Sequence, residues 1–518
     1  MLSIRLENFR SFLDTGRIEF KPLTILVGKN SSGKSSIARF LPLLRQSVEA
    51  RSSVPVLWYG EFVDFGSITE VSTKLSKGNV AFEIQIPANS WFRRKIIRRS
   101  RIRRPDPNWV ESVTFRLTLQ DENSRTGILG LELFLDKDHV NISIGKNGRI
   151  EALYVNSLDY TYLFQKDVKI DIQQLVPTIV ISDSSDNQGW MRATFAFLPA
   201  DRALHRELRN NLHGGFSDAT IRDICDRIQF AHPDEFLRRL SYIGNDYKTW
   251  RDLVRYFKED NDSKFLFEHI RSLSLLAELP DILFQLDRIF SATFTSVGYI
   301  GPSRDQGQRY HRIRELAVEE LDPAGTNLAM FLQSLTKQQQ SEFSDWAEKY
   351  LGYAVFARSI PGHVSVMLRE TGSKYEYNIT DVGYGLSQVL PVAVQLWAYS
   401  ANVRPRRAFY SFLCVEQPEL HLHPSHQAGL ADILSGALQE RGSNDRDRGL
   451  SLIVETHSQH LISRIGELIR RGEIDHQHVV IYLFDKADID GPTEISVSEF
   501  DEDGDLVNWP FGFFASEE

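Results

Sequence analysis

The octapeptide Gly28-Lys29-Asn30-Ser31-Ser32-Gly33-Lys34-Ser35 has the spacing G-x-x-x-x-G-K-[ST]. It follows an apolar run, "LTILVG", and opens an apolar-periodic stretch. In that setting the backbone N–H groups from Gly28 to Ser36 can cradle phosphates at a helix N-terminus. Lys34 would reach the β- and γ-phosphates, and Ser35 would ligand Mg²⁺. ATP and Mg²⁺ are the cofactors this motif implies.

Three later segments can complete such chemistry. "FLCVEQPELHLHP" is an apolar run ending on Glu416, a strand-end acid able to hold the Mg²⁺ water shell. The next residue is Gln417, where an ATP-splitting site usually carries the carboxylate that orients the attacking water. An amide can hydrogen-bond that water but cannot take its proton, so weakened turnover is expected. "LSLIVETHSQHLI" is another buried strand, and His457 at its end can reach a γ-phosphate or the attacking water. In "NITDVGYGLSQVLPVAVQLW", Gly383 and Gly385 lead into Ser387, followed by Gln388. Ser387 is expected to cap an apolar helix that has Pro391 in its first turn, an anion-binding end. By itself this last segment reads equally as a capped core helix.

Other groupings point away from chemistry. His421, His423 and His426 read as turn packing rather than a metal site. Asp501 to Asp505, "DEDGD", has its glycine fourth rather than sixth and reads as a hairpin turn, not a calcium loop. "DKADID" has no matching acid cluster for a nuclease. "WPFGFF" reads as a docking patch or a buried C-terminal staple. The segment Arg93, Arg94, Lys95, Arg98, Arg99, Arg101, Arg103 and Arg104 places eight positives in twelve residues. It reads either as a solvated loop or as a contact for nucleic acid or another anionic partner.

The elements that must position these residues follow from periodicity. Residues 2–8, 17–21 and 23–28 read as strands, with a helix from Ser35 to about Val48. From 56 to 200 the pattern alternates, ending with "ATFAFLP" at 193–199. Residues 201–295 turn amphipathic and helical. Strand returns at "TSVGYIGPSR", helix at 325–351, and strand again at "AVFARSI" and "HVSVMLRE". The expected division is a first lobe at 1–200, a helical insertion at 201–295 and a second lobe at 296–518.

Composition bounds the class. The chain of 518 residues is 42% hydrophobic and 25% charged, as a soluble globular protein is. A net charge of −9 argues against wholesale nucleic-acid binding. No apolar run suits a membrane span, and the start, "MLSIRLENFRSF", alternates like a strand rather than a signal peptide. Two cysteines, Cys225 and Cys414, fit a reduced cytoplasmic protein.

The order of phosphate loop, Gly-Ser-Gln signature, acid-Pro strand end and Thr-His-Ser segment resembles the ABC-type ATPase heads of SMC and OLD proteins. It is most similar to compact bacterial AAA family ATPases with "NFRSF", "GPSR", "DVGYGLSQVLP", "EQPELHLHP" and "ETHS" segments. Septu-type and retron-associated anti-phage ATPases belong to that likeness. The resemblance covers 1–80 and 296–518. It implies an α/β fold, an ABC-type head with a mixed P-loop sheet, two lobes and a helical insertion. Two chains would sandwich ATP as a homodimer or higher even oligomer, with Gly383, Gly385, Ser387 and Gln388 meeting the partner subunit's γ-phosphate. It places Arg10 near the nucleotide, Glu416 on the Mg²⁺ side and His457 as the switch histidine, and makes Gln46 a candidate glutamine-loop residue. It further implies an HNH-type effector nuclease or toxin as partner, and no membrane. The alternatives are an SMC-like DNA repair ATPase and a non-hydrolysing ATP-bound scaffold.

Overall fold

The computed structural model describes residues 1–50, 54–87, 110–123, 125–163, 168–171, 174–182, 190–192, 198–212, 216–243, 247–260, 263–305, 307–313, 318–401, 403, 410–441, 449–488 and 490–510. The basic segment at 93–104 lies outside the described residues. The fold is α/β, as the sequence led one to expect.

Four strands open the chain: β1 (Ser3–Phe9), β2 (Phe12–Asp14), β3 (Ile18–Glu19) and β4 (Leu23–Gly28). Then come β5 (Val80–Pro87), β6 (Ser112–Asp121), β7 (Thr126–Leu135), β8 (Asp138–Ile144), β9 (Ile150–Val155) and β10 (Leu158–Asp159). All of these except β4 form an antiparallel sheet in the order β10-β9-β8-β7-β6-β5-β1-β2, with β3 on β1. Alternation of buried and part-exposed residues in β5 and β8 shows one face on the core. A small antiparallel sheet follows, from β11 (Val168–Asp171), β12 (Thr178–Ser182) and β13 (Trp190–Arg192).

Helices then take over at Leu198–Asn211, Asp218–Arg227, Pro233–Tyr242, Lys248–Glu259 and Lys264–Phe294. The strand expected at 193–199 is therefore wrong at its end. Leu198 and Pro199 open the first of these helices, where proline's missing N–H costs nothing. The 31-residue Lys264–Phe294 helix spans roughly 46 Å at 1.5 Å per residue. It buries Leu273, Leu276, Leu279, Leu283 and Phe290 in the same core as the antiparallel sheet.

The remaining strands are β14 (Val297–Ile300), β15 (His311–Arg312), β16 (Tyr353–Ile360), β17 (His363–Glu370), β18 (Tyr377–Asn378), β19 (Tyr410–Glu416), β20 (Gly449–Glu455), β21 (Val479–Lys486), β22 (Thr493–Phe500) and β23 (Leu506–Val507). β15 to β18 make a small antiparallel sheet. The central sheet runs β14-β19-β20-β4-β21-β22-β23 and is parallel from β14 to β21. β4, from the start of the chain, thus lies between strands from its end.

This sheet separates two cores. Leu26 faces one core with Phe412, Cys414 and Ile453. Leu23, Ile25 and Val27 face the other with Leu413, Val415, Leu452 and Val454. Burial on both faces is why these strands are continuous apolar runs in the sequence. Their C-terminal ends, Gly28, Glu416 and Glu455, emerge along one edge, where α/β sheets bind ligands.

Asp501 to Asp505 is a hairpin turn between β22 and β23, closed by Asp501 N–H to the Asp505 carbonyl at 3.0 Å. Among the described residues there is no cluster of three or more metal-ligating side chains. His423 instead shares a 2.9 Å hydrogen bond with Ser425. Cys225 and Cys414 are free thiols. No helix among the described residues is long and apolar enough to cross a membrane.

Candidate functional site

β4 delivers the loop, and the short helix Lys34–Ala38 receives it. Two glycines fit because nothing larger could. A Cβ on Gly28 would sit 2.4 Å from the Phe484 carbonyl oxygen. Gly33 has φ +91°, and a Cβ there would lie 2.6 Å from the Phe12 ring and from Ser11 Oγ. Ser32 Oγ donates to the Lys29 carbonyl at 2.8 Å and tightens the loop. Lys34 is buried, with Nζ donating to the carbonyls of Gly28 (2.9 Å) and Lys29 (2.7 Å). Burial lowers its pKa, while Glu455 and Glu419 act to raise it.

A cavity of about 560 Å³ opens at this loop. Arg10, Asn30, Ser31, Gly33, Lys34, Ser35, Ser36, Gln417 and His457, all singled out from the sequence, line it. Gly28, Lys29 and Ser32 frame the loop behind it. Arg10 donates to the Phe65 carbonyl at 3.0 Å and lies over the Phe65 ring, and burial lowers its pKa. Glu70, Lys74, Lys486 and Asp490 also line the cavity. The last two lie in the "DKADID" segment, weighed from the sequence only as a nuclease motif; Glu70 and Lys74 were not singled out.

The strand ends behave differently from one another. Glu416 is 1% exposed, and Arg39 grips it with Nε at 2.6 Å and Nη2 at 2.7 Å. Tyr299 adds a 2.8 Å hydrogen bond to the same carboxylate. The ion pair raises the Arg39 pKa, and burial beside Glu416 raises that of Tyr299. Glu416 does not line the cavity. Ser35 and Glu416, both expected on the Mg²⁺ side, are not hydrogen-bonded to one another among the described residues: Ser35 Oγ donates to Glu455 Oε1 at 3.0 Å. Arg39 also splits the helix expected from Ser35 to Val48 into Lys34–Ala38 and Phe40–Glu49, its guanidinium turned to Glu416.

Glu455 ends β20 one residue before Thr456 and escaped notice in the sequence. The signal was there: it is an acid closing an apolar strand, as Glu416 is. It is 3% exposed, and burial together with neighbouring Glu416 pushes its pKa up to about 7. Its Oε2 has no hydrogen-bond partner among the described residues, nor have Glu419 Oε2 and His457 Nε2. Glu419 Oε1 accepts the His457 N–H at 2.6 Å. Burial raises the Glu419 pKa and lowers that of His457, with Lys34 lowering the latter further.

Gln417 has φ 43°, in the left-handed region that non-glycine residues enter at a cost. Its N–H donates to the Glu455 carbonyl at 2.8 Å. Arg304, from the "GPSR" segment, is buried and donates to the Gln417 carbonyl from the other side.

Gly383, Gly385, Ser387 and Gln388 lie away from this cavity, at the start of the Tyr384–Ser400 helix. The expected Ser387 cap is corrected. The N-cap is Gly383, with no side-chain cap bond, and Ser387 is buried one turn inside. Pro391 falls deeper still, at the eighth helical position, where it packs against Gly325. Gln388 Nε2 donates to the Asp305 carbonyl at 3.3 Å, which ties this helix to the Arg304 segment. Gln46 is not placed as a metal-side glutamine. Its amide is spent on Leu57, Phe62 and Val63, which fold the 57–63 loop.

The sequence model of the AAA ATPase domain matches residues 1–462. No curated protein matches the chain. Among solved structures, the SMC head domain from Thermotoga maritima matches at 11% identity with a TM-score of 0.32, covering 95% of this chain and 97% of that chain.

Proposed function

Since the chain belongs to the AAA ATPase domain family, we propose that it is an ABC-type head that binds ATP with Mg²⁺, dimerises around it and hydrolyses it slowly. The observation that carries this reading is Gln417 lining the same cavity as the phosphate loop. Loop amides and Lys34 hold the β- and γ-phosphates, Arg10 sits beside them, and Ser35 faces the metal. None of these groups needs a general base, so binding is retained. Hydrolysis lacks the carboxylate expected at position 417, and loss of a base costs about 10²–10⁴ in rate. The ATP-bound dimer is then a long-lived resting state.

Such a state suits a guard. The resemblance to Septu-type and retron-associated ATPases supports a partner, an HNH-type effector nuclease held quiet until a trigger opens the heads. The basic segment from Arg93 to Arg104 supports an anionic contact in that assembly, nucleic acid or an acidic protein face. The test of turnover is Gln417→Glu beside wild type, read as steady-state phosphate release. A rise of about 10²-fold or more supports the missing-base account. Wild-type turnover at ordinary rates of ~1–100 per second, unchanged by Gln417→Glu, defeats it.

A further inference from the structure

We propose that a second cavity, of about 480 Å³, binds a nucleoside monophosphate, with the base on Phe265 and the phosphate between Lys137 and Lys264. This cavity shares no lining residue with the one at the phosphate loop, so it is independent of the ATP reading. Its walls come from the antiparallel sheet and from the helical region. Lys137 precedes β8, and Asn156 sits in the turn from β9 to β10 at φ 48°. His232 is the N-cap of the helix Pro233–Tyr242, while Lys264, Phe265 and Arg271 belong to the first two turns of Lys264–Phe294.

The acids in this lining are already engaged. Buried Arg271 pairs through Nη2 with Asp138 and through Nη1 with Glu268 at 3.1 Å, and its Nε donates to the Ala231 carbonyl at 2.9 Å. Asn156 Nδ2 donates to the other Asp138 oxygen at 2.8 Å. Lys137 and Lys264 are exposed, and neither ammonium has a hydrogen-bond or ion-pair partner among the described residues. Three cations against two carboxylates leave the lining net positive with His232 neutral. Two free ammonium groups beside a satisfied floor favour one phosphate group. The two helix starts add to that preference, since neither N-cap side chain takes their free N–H groups.

The base has its own platform. Phe265 is 68% exposed and stacks on His269, with ring centroids 6.0 Å apart and planes within 9°. His269 stacks in turn on buried Tyr160 at 5.5 Å and 9°, and the Tyr160 hydroxyl and His269 Nδ1 share a 2.9 Å hydrogen bond. A column of three rings thus rises from the core and ends on an open one. A nucleobase extends such a column, because every base has a π-face. The volume is that of a small-molecule site, and two lysines match one phosphate rather than a strand's backbone.

The test titrates AMP, GMP, CMP and UMP by calorimetry into the full chain carrying Lys34→Ala, which removes the phosphate-loop ammonium and leaves this cavity intact. At least one should bind. In the same background Phe265→Ala should lower that affinity by about 5–150-fold, the worth of one stacked base. Phe265→Trp should keep it and Phe265→Leu should lose it, because the base uses the ring and not its apolar bulk. Lys137→Ala combined with Lys264→Ala should weaken binding and flatten its salt dependence. Lys337→Ala, exposed on the helix Lys337–Leu351, should do neither. All of these positions are exposed, so the variants should fold. No binding of any of the four, or binding unchanged by Phe265→Ala, by Phe265→Leu or by the double lysine variant, overturns the proposal. So does a thymidine oligomer of about ten nucleotides that binds through Phe265 more tightly than any monophosphate, since the site is then a strand groove. ATP binding by wild type is measured separately and bears only on the phosphate loop.

Discussion

Arg304 Nη2 donates to two consecutive backbone carbonyls, Glu416 at 2.6 Å and Gln417 at 3.0 Å. One side chain thereby fixes the turn where β19 ends and where Gln417 takes its left-handed φ. Burial lowers the Arg304 pKa to about 10, with Glu419 and Glu416 opposing the shift. Arg304→Ala strips both carbonyls of this donor, at about 1–3 kcal/mol for each buried group left unpaired. Relief of the buried guanidinium, whose Nε and Nη1 have no partner among the described residues, offsets part of that. The expected net loss is about 1–3 kcal/mol, read from urea midpoints at constant slope. Arg304→Lys should fall between, since an ammonium reaches one carbonyl more readily than two.

Gly33→Ala tests the loop. The alanine would have to adopt φ +91° and push its Cβ into the Phe12 ring. Phe12 cannot yield easily, being fully buried and edge-on to Phe484. Left-handed strain of about 1–2 kcal/mol and overpacking of about 1–3 kcal/mol add to a loss of roughly 2–5 kcal/mol. ATP-analogue affinity should fall at least ~10-fold, because the cradle no longer closes on the phosphates. Equilibrium unfolding and fluorescence titration check the two effects separately.

These two sites also mark how far the sequence could be read. The phosphate loop was legible because β4 is buried on both faces and so reads as an unbroken apolar run, with glycines at fixed offsets. The placing of Ser387 and Pro391 was not legible. Local rules put a serine at a cap and a proline in a first turn, yet the helix starts at Tyr384 and Pro391 is accommodated against Gly325. The partners of Glu416 and Glu455 were hidden for another reason. Each ends an apolar strand on an acid, and only the order β19-β20-β4 decides which meets Ser35. Arg39 lies in no quoted motif and Arg304 closes "GPSR" with no role attached, because their partners lie more than a hundred residues away in sequence.

The proposed dimerisation through the Gly383 segment has a clean probe. Gly383 is exposed, has a negative φ of −45°, and a Cβ added there would meet nothing within 4 Å. Gly383→Arg should therefore fold as wild type does. Light scattering with ATP and Mg²⁺ should show a dimer for wild type and a monomer for the variant. Equal ATP-dependent dimer in both would remove this segment from the interface.

The helical region carries a pH dependence of its own. Glu278, on the Lys264–Phe294 helix, accepts the Phe230 N–H at 2.8 Å. Burial pushes its pKa up to about 7, against the Phe230 bond and Arg239, with Asp281 and Asp201 adding to the rise. The folded state therefore binds this proton more tightly than the unfolded chain, whose glutamate titrates near ~4.3. Its contribution is favourable at low pH and is lost as pH rises through about 7. Glu278→Gln should lack that loss. From pH ~4.5 to ~7.5 the stability of wild type should fall relative to the variant by about 1–3 kcal/mol, measured by urea unfolding at each pH.

On the proposed reading, in which position 417 supplies no base, another group takes the proton of the attacking water. Residues near Gln417 that can accept a proton include Glu419 and His457. His457 lines the cavity, and its Nε2 is buried without a partner among the described residues. Glu419 does not line the cavity, and its Oε1 is occupied by the His457 N–H. Position therefore favours His457 as the proton acceptor, with Glu419 fixing the backbone that carries it. His457→Ala should lower phosphate release by about 10²-fold or more. Glu419→Gln should cost less, about 10-fold, because an amide oxygen still accepts the same N–H more weakly. In a Gln417→Glu background the His457→Ala effect should shrink, since a carboxylate at 417 then serves as base. Single-turnover phosphate release for wild type and the four variants separates these cases. Wild-type release from His457→Ala together with loss in Glu419→Gln would transfer the role to Glu419.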